Sequence, residues 1–317
     1  MKKMKWIILP LVCLVLSGCG AAPVQEKAAS AQGMIVTADA SALAGEENVY
    51  ALYFRLGGTD YLAPEQRQLT VGRDETAEMA LVRGLIGGPA ATSASLSPLF
   101  PQGTEVLAVA RQGDTLFVTL NERFLSGYSA ERSELTGEEK QQTVQKERQL
   151  CLDALSATLT EAGLCTRVQV LIYRNQVQGN SLRLTEDYLY QNGSDMPLPA
   201  LCRSENSLYT PHNAAGRILS SWMGRDFSQL IACMASSGRP SEEALLEEMG
   251  AGPVLTGYTL APGTVSWDGT RATVTAQLSL HLAQDDWTLP GFPLQLVREE
   301  GVWKISYDTL CSMMAKE

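Results

Sequence analysis

The chain has 317 residues, of which 45% are hydrophobic and 19% are charged, and its formal net charge is −10. This is a globular composition, and the length is sufficient for about two domains. The negative charge argues against nucleic acid as a partner and against adsorption to anionic lipid, because both need positive surface that can neutralise phosphate.

The N-terminus has the pattern of a secretory signal. Lys2, Lys3 and Lys5 form a positive segment, and residues 6–16 form an uninterrupted apolar run. That run is too short for a membrane-spanning helix, which needs about 20 residues. Small residues before a cysteine then complete the segment, which ends in Leu16, Ser17, Gly18 and Cys19.

These last four residues resemble the bacterial lipobox. In that family of signals the cysteine thiol takes a diacylglycerol, and cleavage leaves the cysteine as the new N-terminus. The resemblance implies a signal peptide over residues 1–18 and a membrane anchor on Cys19. An anchor of two or three acyl chains is stable, whereas a single chain binds marginally. An ordinary secretory peptide with an incidental cysteine is the alternative.

Residues 19–46 are rich in alanine and poor in large apolar side chains. They cannot build a core, and we expect them to form a flexible tether from the lipidated Cys19. No later apolar run is long enough to cross a membrane. The mature chain is therefore expected on the extracytoplasmic face of a bacterial membrane.

The cysteines beyond Cys19 show no C-x-x-C spacing, so neither a zinc knuckle nor a thioredoxin-like pair is encoded locally. Their odd number does not favour a disulfide framework. Small buried thiols are the simplest interpretation, and one disulfide is left open. These residues are Cys151, Cys165, Cys202, Cys233 and Cys311.

Residues 47–190 are predicted to form a first domain. In chain order its elements are strand 49–54, helix 75–86, strands 106–110 and 115–120, helix 140–162 and strand 168–172. Gly57, Gly58 and Pro64 indicate a loop after the first strand, and Asp74 is expected to cap the first helix. The order β-α-β-β-α-β favours an α+β fold with helices on one side of a mixed sheet.

An ordered series of motifs in this domain resembles the GerMN domain, a family named for sporulation and spore-germination proteins and common in envelope lipoproteins. The motifs are Leu52-Tyr53-Phe54, Pro64-Glu65-Gln66-Arg67, Leu85-Ile86-Gly87-Gly88-Pro89, Pro101-Gln102-Gly103-Thr104 and Val118-Thr119-Leu120. The resemblance implies an extracytoplasmic structural or assembly role and supplies no catalytic residue. Arg67 and Pro89 are then architectural, as a strand-edge salt bridge and a helix stop.

A linker is predicted at 191–211 and a second domain at 212–317. Its helices are predicted at 214–223, 227–235 and 241–249, and its strands at 254–260, 264–267, 271–282, 294–298 and 302–307. Helices followed by an antiparallel sheet indicate an α+β cone, and residues 294–305 resemble the last hairpin of nuclear-transport-factor-two-like domains. Alternatively, residues 245–253 and 262–264 echo 81–89 and 101–104, as a degenerate copy of the first domain would.

The sequence contains no pattern typical of a catalytic, cofactor or metal site. The histidines are His212 and His281, and His281 lies on the polar face of a strand with no acid at a spacing that would place a partner. Asp226 and Asp286 are the remaining candidate carboxylates, and neither has a visible catalytic partner. We therefore expect no catalytic residue, no cofactor and no metal.

Three hypotheses for function follow. The first is a lipid-anchored, non-enzymatic envelope protein that works through contacts with other envelope proteins, in sporulation or spore germination. The second is a lipoprotein that binds a small molecule or wall fragment in a cavity of the second domain. The third is a cryptic hydrolase or isomerase, which fold analogy alone does not support.

The anchor prediction can be tested on the mature N-terminus. Mass spectrometry of the protein from its host should show loss of residues 1–18 and acyl chains on Cys19. A secreted chain with an unmodified N-terminus would contradict the prediction.

Overall fold

The computed structural model describes residues 49–72, 74–174 and 181–315. The predicted signal peptide, the lipobox with Cys19 and the tether lie outside these residues. The strands are β1 (Val49–Leu56), β2 (Leu62–Gln68), β3 (Leu96–Ser97), β4 (Val106–Gln112), β5 (Thr115–Leu120), β6 (Arg167–Tyr173), β7 (Ser181–Arg183), β8 (Val254–Leu260), β9 (Thr264–Val265), β10 (Arg271–Leu282), β11 (Asp285–Glu299) and β12 (Val302–Ile305). The helices are α1 (Ala77–Ile86), α2 (Gly137–Glu161), α3 (Glu186–Tyr190), α4 (Pro211–Met223), α5 (Phe227–Ala232), α6 (Glu242–Ala251) and α7 (Tyr307–Met314).

The first part of the chain, from β1 to α3, has the predicted α+β class but contains two sheets instead of one. One sheet has the order β2-β1-β3 and is antiparallel. The other has the order β4-β5-β6-β7, with β5 and β6 parallel and the outer pairs antiparallel. Helix α2 contacts both β1 and β6. The long helix therefore joins the two sheets into one core.

The stretch predicted as a loop around Pro64 is the strand β2, which pairs with β1 along its whole length. Pro64 lies opposite Tyr53. A proline is tolerated there because β2 is the edge strand of its sheet. The sequence prediction was wrong because proline demotes a strand only in the interior of a sheet.

The cap of α1 also differs from the prediction. The hydroxyl of Thr76 accepts a hydrogen bond from the Met79 N–H at 3.2 Å, so Thr76 and not Asp74 is the N-cap. The carboxylate of Glu75 instead forms an ion pair with Arg83 at 2.7 Å. Threonine satisfies a free helix donor in the same way as aspartate.

Arg67 joins β2 to the end of α1. Its guanidinium pairs with the Glu65 carboxylate and donates to the carbonyls of Gly84 and Gly88 at 3.2 and 3.0 Å. Glu65 also accepts from the Ala90 N–H at 2.9 Å. Burial would raise the pKa of Glu65, but hydrogen bonds from Ser93, Ala90 and Arg67 outweigh it and lower the pKa. These contacts give Arg67 the architectural role expected of it.

The core of the first part lies along α2. Its apolar side chains are buried between the sheets, and they include Cys151, Leu152, Leu155 and Leu159. The hydroxyl of Thr158 accepts a hydrogen bond from the Tyr53 N–H at 3.1 Å. The Glu147 carboxylate also pairs with Arg55 of β1 at 3.6 Å. The helix therefore contributes both apolar packing and polar contacts to the sheet β2-β1-β3.

The second part of the chain, from α4 to α7, contains a curled antiparallel half-barrel. Its strand order is β12-β11-β10-β8, with β9 paired to β10. Helix α4 packs on its strands and buries Ile218, Leu219 and Trp222. This part has neither a parallel strand pair nor a counterpart of α2 in its described residues. It therefore does not repeat the fold of the first part.

The segment predicted as a linker is bonded to the first part. Leu201 exchanges backbone hydrogen bonds with Val168 at 2.7 and 2.9 Å, and the Leu198 N–H donates to Leu184 at 2.8 Å. The Tyr209 N–H donates to the Leu62 carbonyl at 2.8 Å. The backbone is thus bonded to the first part at Leu198, Leu201 and Tyr209, while the predicted linker at 191–211 and the domain limits stay predictions.

A turn of the half-barrel also contacts β2. Glu300 and Gly301, between β11 and β12, have φ angles of 51° and 82°. A Cβ on Gly301 would lie 2.6 Å from the carbonyl oxygen of Pro64. Real Cβ atoms do not approach oxygen so closely, so the contact between the two parts requires glycine.

The five cysteines for which a disulfide was left open all have free thiols. Burial raises the pKa of Cys151 and Cys233, which favours their neutral form. Within the described part of the chain, no helix is both long enough and apolar enough to cross a membrane.

The turn at Gly301 yields a stability prediction. Gly301→Ala should lower the free energy of unfolding by about 1–2 kcal/mol for the left-handed backbone and by about 1–3 kcal/mol more for the overlap with Pro64. Gly113→Ala is the matched control, because Gly113 also has a positive φ, 62°, but has nothing within 4 Å of its added Cβ.

Urea denaturation of both variants measures the difference. Equal destabilisation would contradict a close contact at Pro64.

Candidate functional site

The side chains that the sequence suggested as catalytic candidates form hydrogen bonds with neighbouring groups of the fold. His281 and Asp286 lie opposite each other in the hairpin β10–β11, with Nδ1 of the histidine 2.6 Å from the carboxylate. The prediction that His281 has no acidic partner was therefore wrong. The two-residue turn at Ala283, with φ of 59°, sets this register, and sequence spacing alone did not show it.

The other two candidates lie at helix starts. Asp226 caps α5 by accepting from the Gln229 N–H at 3.0 Å. Nδ1 of His212 is 3.2 Å from the Ala261 carbonyl. No hydrogen bond or ion pair found in the described residues joins His212, Asp226 and the His281–Asp286 pair. The same part of the chain contains no group of three or more metal-binding side chains.

An open groove of about 770 Å³ lies where the two parts meet. The loop after β1 forms one wall with Asp60 and Tyr61, and α4 and β8 form the other with Arg217 and Tyr258. His212, in the first turn of α4, lies on that same wall. Sequence reasoning missed this groove because Asp60 and Tyr61 are far in the chain from Arg217 and Tyr258 on the other wall.

Charges in the groove are unevenly compensated. The Asp60 carboxylate is held by Arg55 at 3.3 Å and Lys146 at 3.0 Å. Burial raises the pKa of Tyr209, so its hydroxyl stays neutral beside Arg217. No carboxylate of the described residues pairs with Arg217, which leaves one half-buried cation among the residues that line the groove.

The wall formed by α4 is shaped by a glycine. The Tyr258 hydroxyl contacts the Gly216 carbonyl at 3.2 Å and the Ser220 hydroxyl at 2.7 Å. A Cβ on Gly216 would meet only Leu260, at 3.8 Å, which is an ordinary contact. Glycine in a helix interior destabilises the helix relative to alanine. The fold does not require this glycine for space, and its absent side chain widens the groove.

A second feature is the turn between β9 and β10, where the Trp267 side chain is 99% exposed. The turn is held by side-chain bonds. Ser266 donates to the Asp268 carboxylate at 2.5 Å, and the Thr270 N–H and hydroxyl donate to it at 3.1 and 2.8 Å. These bonds, led by that of Ser266, lower the pKa of Asp268 to about 2. The tryptophan is thus presented on a turn with an ordered backbone.

The comparisons with known proteins match the two parts separately. A family model described as sporulation and spore germination matches residues 51–176. A second model, described as the C-terminal domain of the low molecular weight antigen MTB12, matches residues 237–317. Among curated proteins, none matches the sequence.

Similar solved structures include two of the sporulation protein GerM from Bacillus subtilis. Its first GerMN domain is 15% identical, with a TM-score of 0.32, and the match covers 49% of this chain and 98% of that one. Its tandem GerMN domains are 15% identical, with a TM-score of 0.34, covering 72% and 59%. A candidate lipoprotein from Clostridium perfringens is 22% identical, with a TM-score of 0.25, covering 44% and 88%.

At these identities and scores, the assignment depends on the family model and on the motifs between Leu52 and Leu120. The resemblance of residues 294–305 to nuclear-transport-factor-two-like domains stays an interpretation of the curled half-barrel. Residues 51–176 are similar to the sporulation and spore-germination family and form a GerMN-like domain.

Proposed function

We propose that the protein is a lipid-anchored, extracytoplasmic lipoprotein that acts without catalysis, through contacts with other envelope proteins, in sporulation or spore germination. The family match of residues 51–176 supports the process, and the lipobox ending in Cys19 supports the anchor. The side chains of the four candidate residues form hydrogen bonds within the fold, which supports a role other than catalysis. These residues are His212, Asp226, His281 and Asp286.

The observation that carries the contact mechanism is the exposure of Trp267 on a hydrogen-bonded turn. Tryptophan is enriched among the few residues that dominate protein–protein binding, because it buries a large area. A turn that is already ordered loses little conformational entropy on binding. Val265, on the strand that leads into this turn, is 50% exposed and extends the apolar surface. The proposed partner is an envelope protein with an apolar pocket for Trp267.

A second candidate function is ligand binding. It is favoured by the groove between Asp60 and Tyr61 on one wall and Arg217 and Tyr258 on the other, here called the junction groove. A cavity inside the half-barrel is disfavoured because α4 packs its apolar face there. The groove at the rim has a volume within the range of about 300–1,000 Å³ typical of small-molecule sites. Its half-buried Arg217 supplies a recognition group.

The contact proposal predicts which substitutions affect the cellular role. In a deletion strain, Trp267→Ala should reduce sporulation or germination efficiency, because the central apolar side chain of the proposed interface is lost. Cys19→Ala should abolish the role by releasing the protein from the membrane. His212→Ala, His281→Ala and Asp286→Ala should complement fully. Asp226→Ala should also complement, with a loss of about 1 kcal/mol of stability from the missing helix cap.

Met196→Ala is the matched control, since Met196 is also a large exposed apolar side chain, 62% exposed. Immunoblots of membrane fractions check the amount and anchoring of each variant. A stable, anchored histidine or aspartate variant without activity would overturn the non-catalytic proposal. Full complementation by Trp267→Ala would overturn the proposed protein contact at the turn. Binding of the chain to lipid vesicles through Trp267 alone would overturn it as well.

The order of the Trp267 turn predicts a pH dependence. The folded pKa of Asp268, about 2, lies below its ordinary value of 3.8, so the turn is stabilised above about pH 4 and loses this stabilisation as the pH falls through 2. An NMR titration of the Thr270 amide should show a midpoint near pH 2.

Ser266→Ala removes the largest cause of the shift and should move the midpoint towards 3.8. A midpoint near 4 in the parent protein would show that the turn is not held by Asp268.

A further inference from the structure

We infer that the junction groove binds a carboxylate-bearing glycan of the kind found in cell-wall fragments; this ligand class rests on the second candidate function. Four features of the groove support this class: free amide side chains, aromatic walls, one uncompensated cation and a histidine whose proton position is set.

The amides come from separate elements. Asn206 and Gln229 line the groove, and their side chains form no hydrogen bond within the described residues. An amide side chain offers two donors and an acceptor with two lone pairs. A sugar hydroxyl also donates and accepts, so such amides suit a ligand with many hydroxyls. They would be left unpaired by an apolar ligand, at a cost in binding free energy.

Two half-buried tyrosines, Tyr61 and Tyr258, supply aromatic surface at the groove. The ring of Tyr61 packs against Tyr209 at 5.7 Å between centroids. The hydroxyl of Tyr258 is already bonded to Ser220 and Gly216. The rings are therefore held in position, and their faces are of the size of a sugar ring. Sites that combine aromatic walls with a few polar groups are typical of small-ligand recognition.

Arg217 selects for negative charge. Asp60, the carboxylate on the opposite wall, is compensated by Arg55 and Lys146, so it does not neutralise the guanidinium. Arginine matches a carboxylate with two parallel hydrogen bonds. One cation suits a single carboxylate. A polyphosphate ligand would need several cations or a metal, and the described residues show no metal cluster.

His212 adds an acceptor. Its Nδ1 lies 3.2 Å from the Ala261 carbonyl, which can only accept, so Nδ1 carries the proton. In the neutral ring Nε2 is then an acceptor. It is available to a ligand hydroxyl because His212 is exposed at the groove.

Gly216 provides a way to block the groove without disturbing the fold. Its added Cβ has an ordinary contact at 3.8 Å. A longer side chain at this position would extend into the groove while improving the intrinsic helix propensity of α4. Gly216→Met should therefore keep or raise the melting temperature and remove the space for a ligand.

The test uses the full chain purified in detergent. Calorimetry should show binding of a disaccharide–peptide released from peptidoglycan by a muramidase, and at least about tenfold weaker binding of neutral chitotriose, which lacks a carboxylate. Arg217→Gln should weaken binding of the disaccharide–peptide by about tenfold or more and leave chitotriose binding unchanged. Arg183→Gln is the matched control, because Arg183 is an exposed arginine outside the groove.

Gly216→Met should abolish binding of both sugars while the protein stays folded by circular dichroism. Indifference of the disaccharide–peptide to Arg217→Gln and Gly216→Met would overturn the glycan site. Equal competition by inorganic phosphate would overturn the glycan class. No binding of either sugar by the parent would also overturn it.

Complementation separates this failure from failure of ligand binding itself. If Gly216→Met loses the cellular role while the parent binds neither sugar, the groove has a different ligand. If Gly216→Met complements fully, ligand binding at the groove is excluded as the function.

Discussion

The outer edge of β2 is the constraint on which the rest of the described chain depends. One side of this strand pairs with β1 along its whole length. The other receives the Tyr209 N–H and the parallel bridge between Leu62 and Leu208. The turn at Gly301 then rests on the carbonyl of Pro64. An edge strand presents unpaired backbone groups. Covering this edge satisfies the Leu62 carbonyl and also joins the half-barrel to the GerMN-like domain.

This edge is in turn held from within the first part. The guanidinium of Arg67 bonds to Glu65 on the same strand and to two carbonyls at the end of α1. Removing Arg67 would leave the buried Glu65 carboxylate without its charged partner and two carbonyls without their donor, which is more costly than losing a surface ion pair. Arg67, although charged and part of the GerMN-like motif, therefore has an architectural role. The proposed binding surfaces lie elsewhere, at the groove and at the Trp267 turn.

The position of the groove follows from the same junction. Its walls belong to the loop after β1 and to α4 with β8, so its width depends on how β2 and the segment before α4 are paired. A ligand that bridges Asp60 or Tyr61 to Arg217 would also bridge the two parts. Ligand binding and contacts through Trp267 are therefore compatible, since the turn with Trp267 belongs to β9 and β10 and not to the groove.

The sequence by itself determined the α+β class, the long helix α2 and the hairpins β9–β10 and β11–β12. Its ordered motifs also indicated the resemblance of the first part to the GerMN domain. These depend on local signals, such as the alternation along β10 and the Asp268-Gly269 turn, which each stretch carries within itself. Only the tertiary structure decided that Pro64 lies in an edge strand, that Leu201 and Tyr209 bond to the first part, and that Asp286 lies beside His281. It also decided that Tyr61 and Arg217 share one groove. These features depend on pairing between residues distant in the chain or on strand register, and no local pattern records which strand edge another segment will cover.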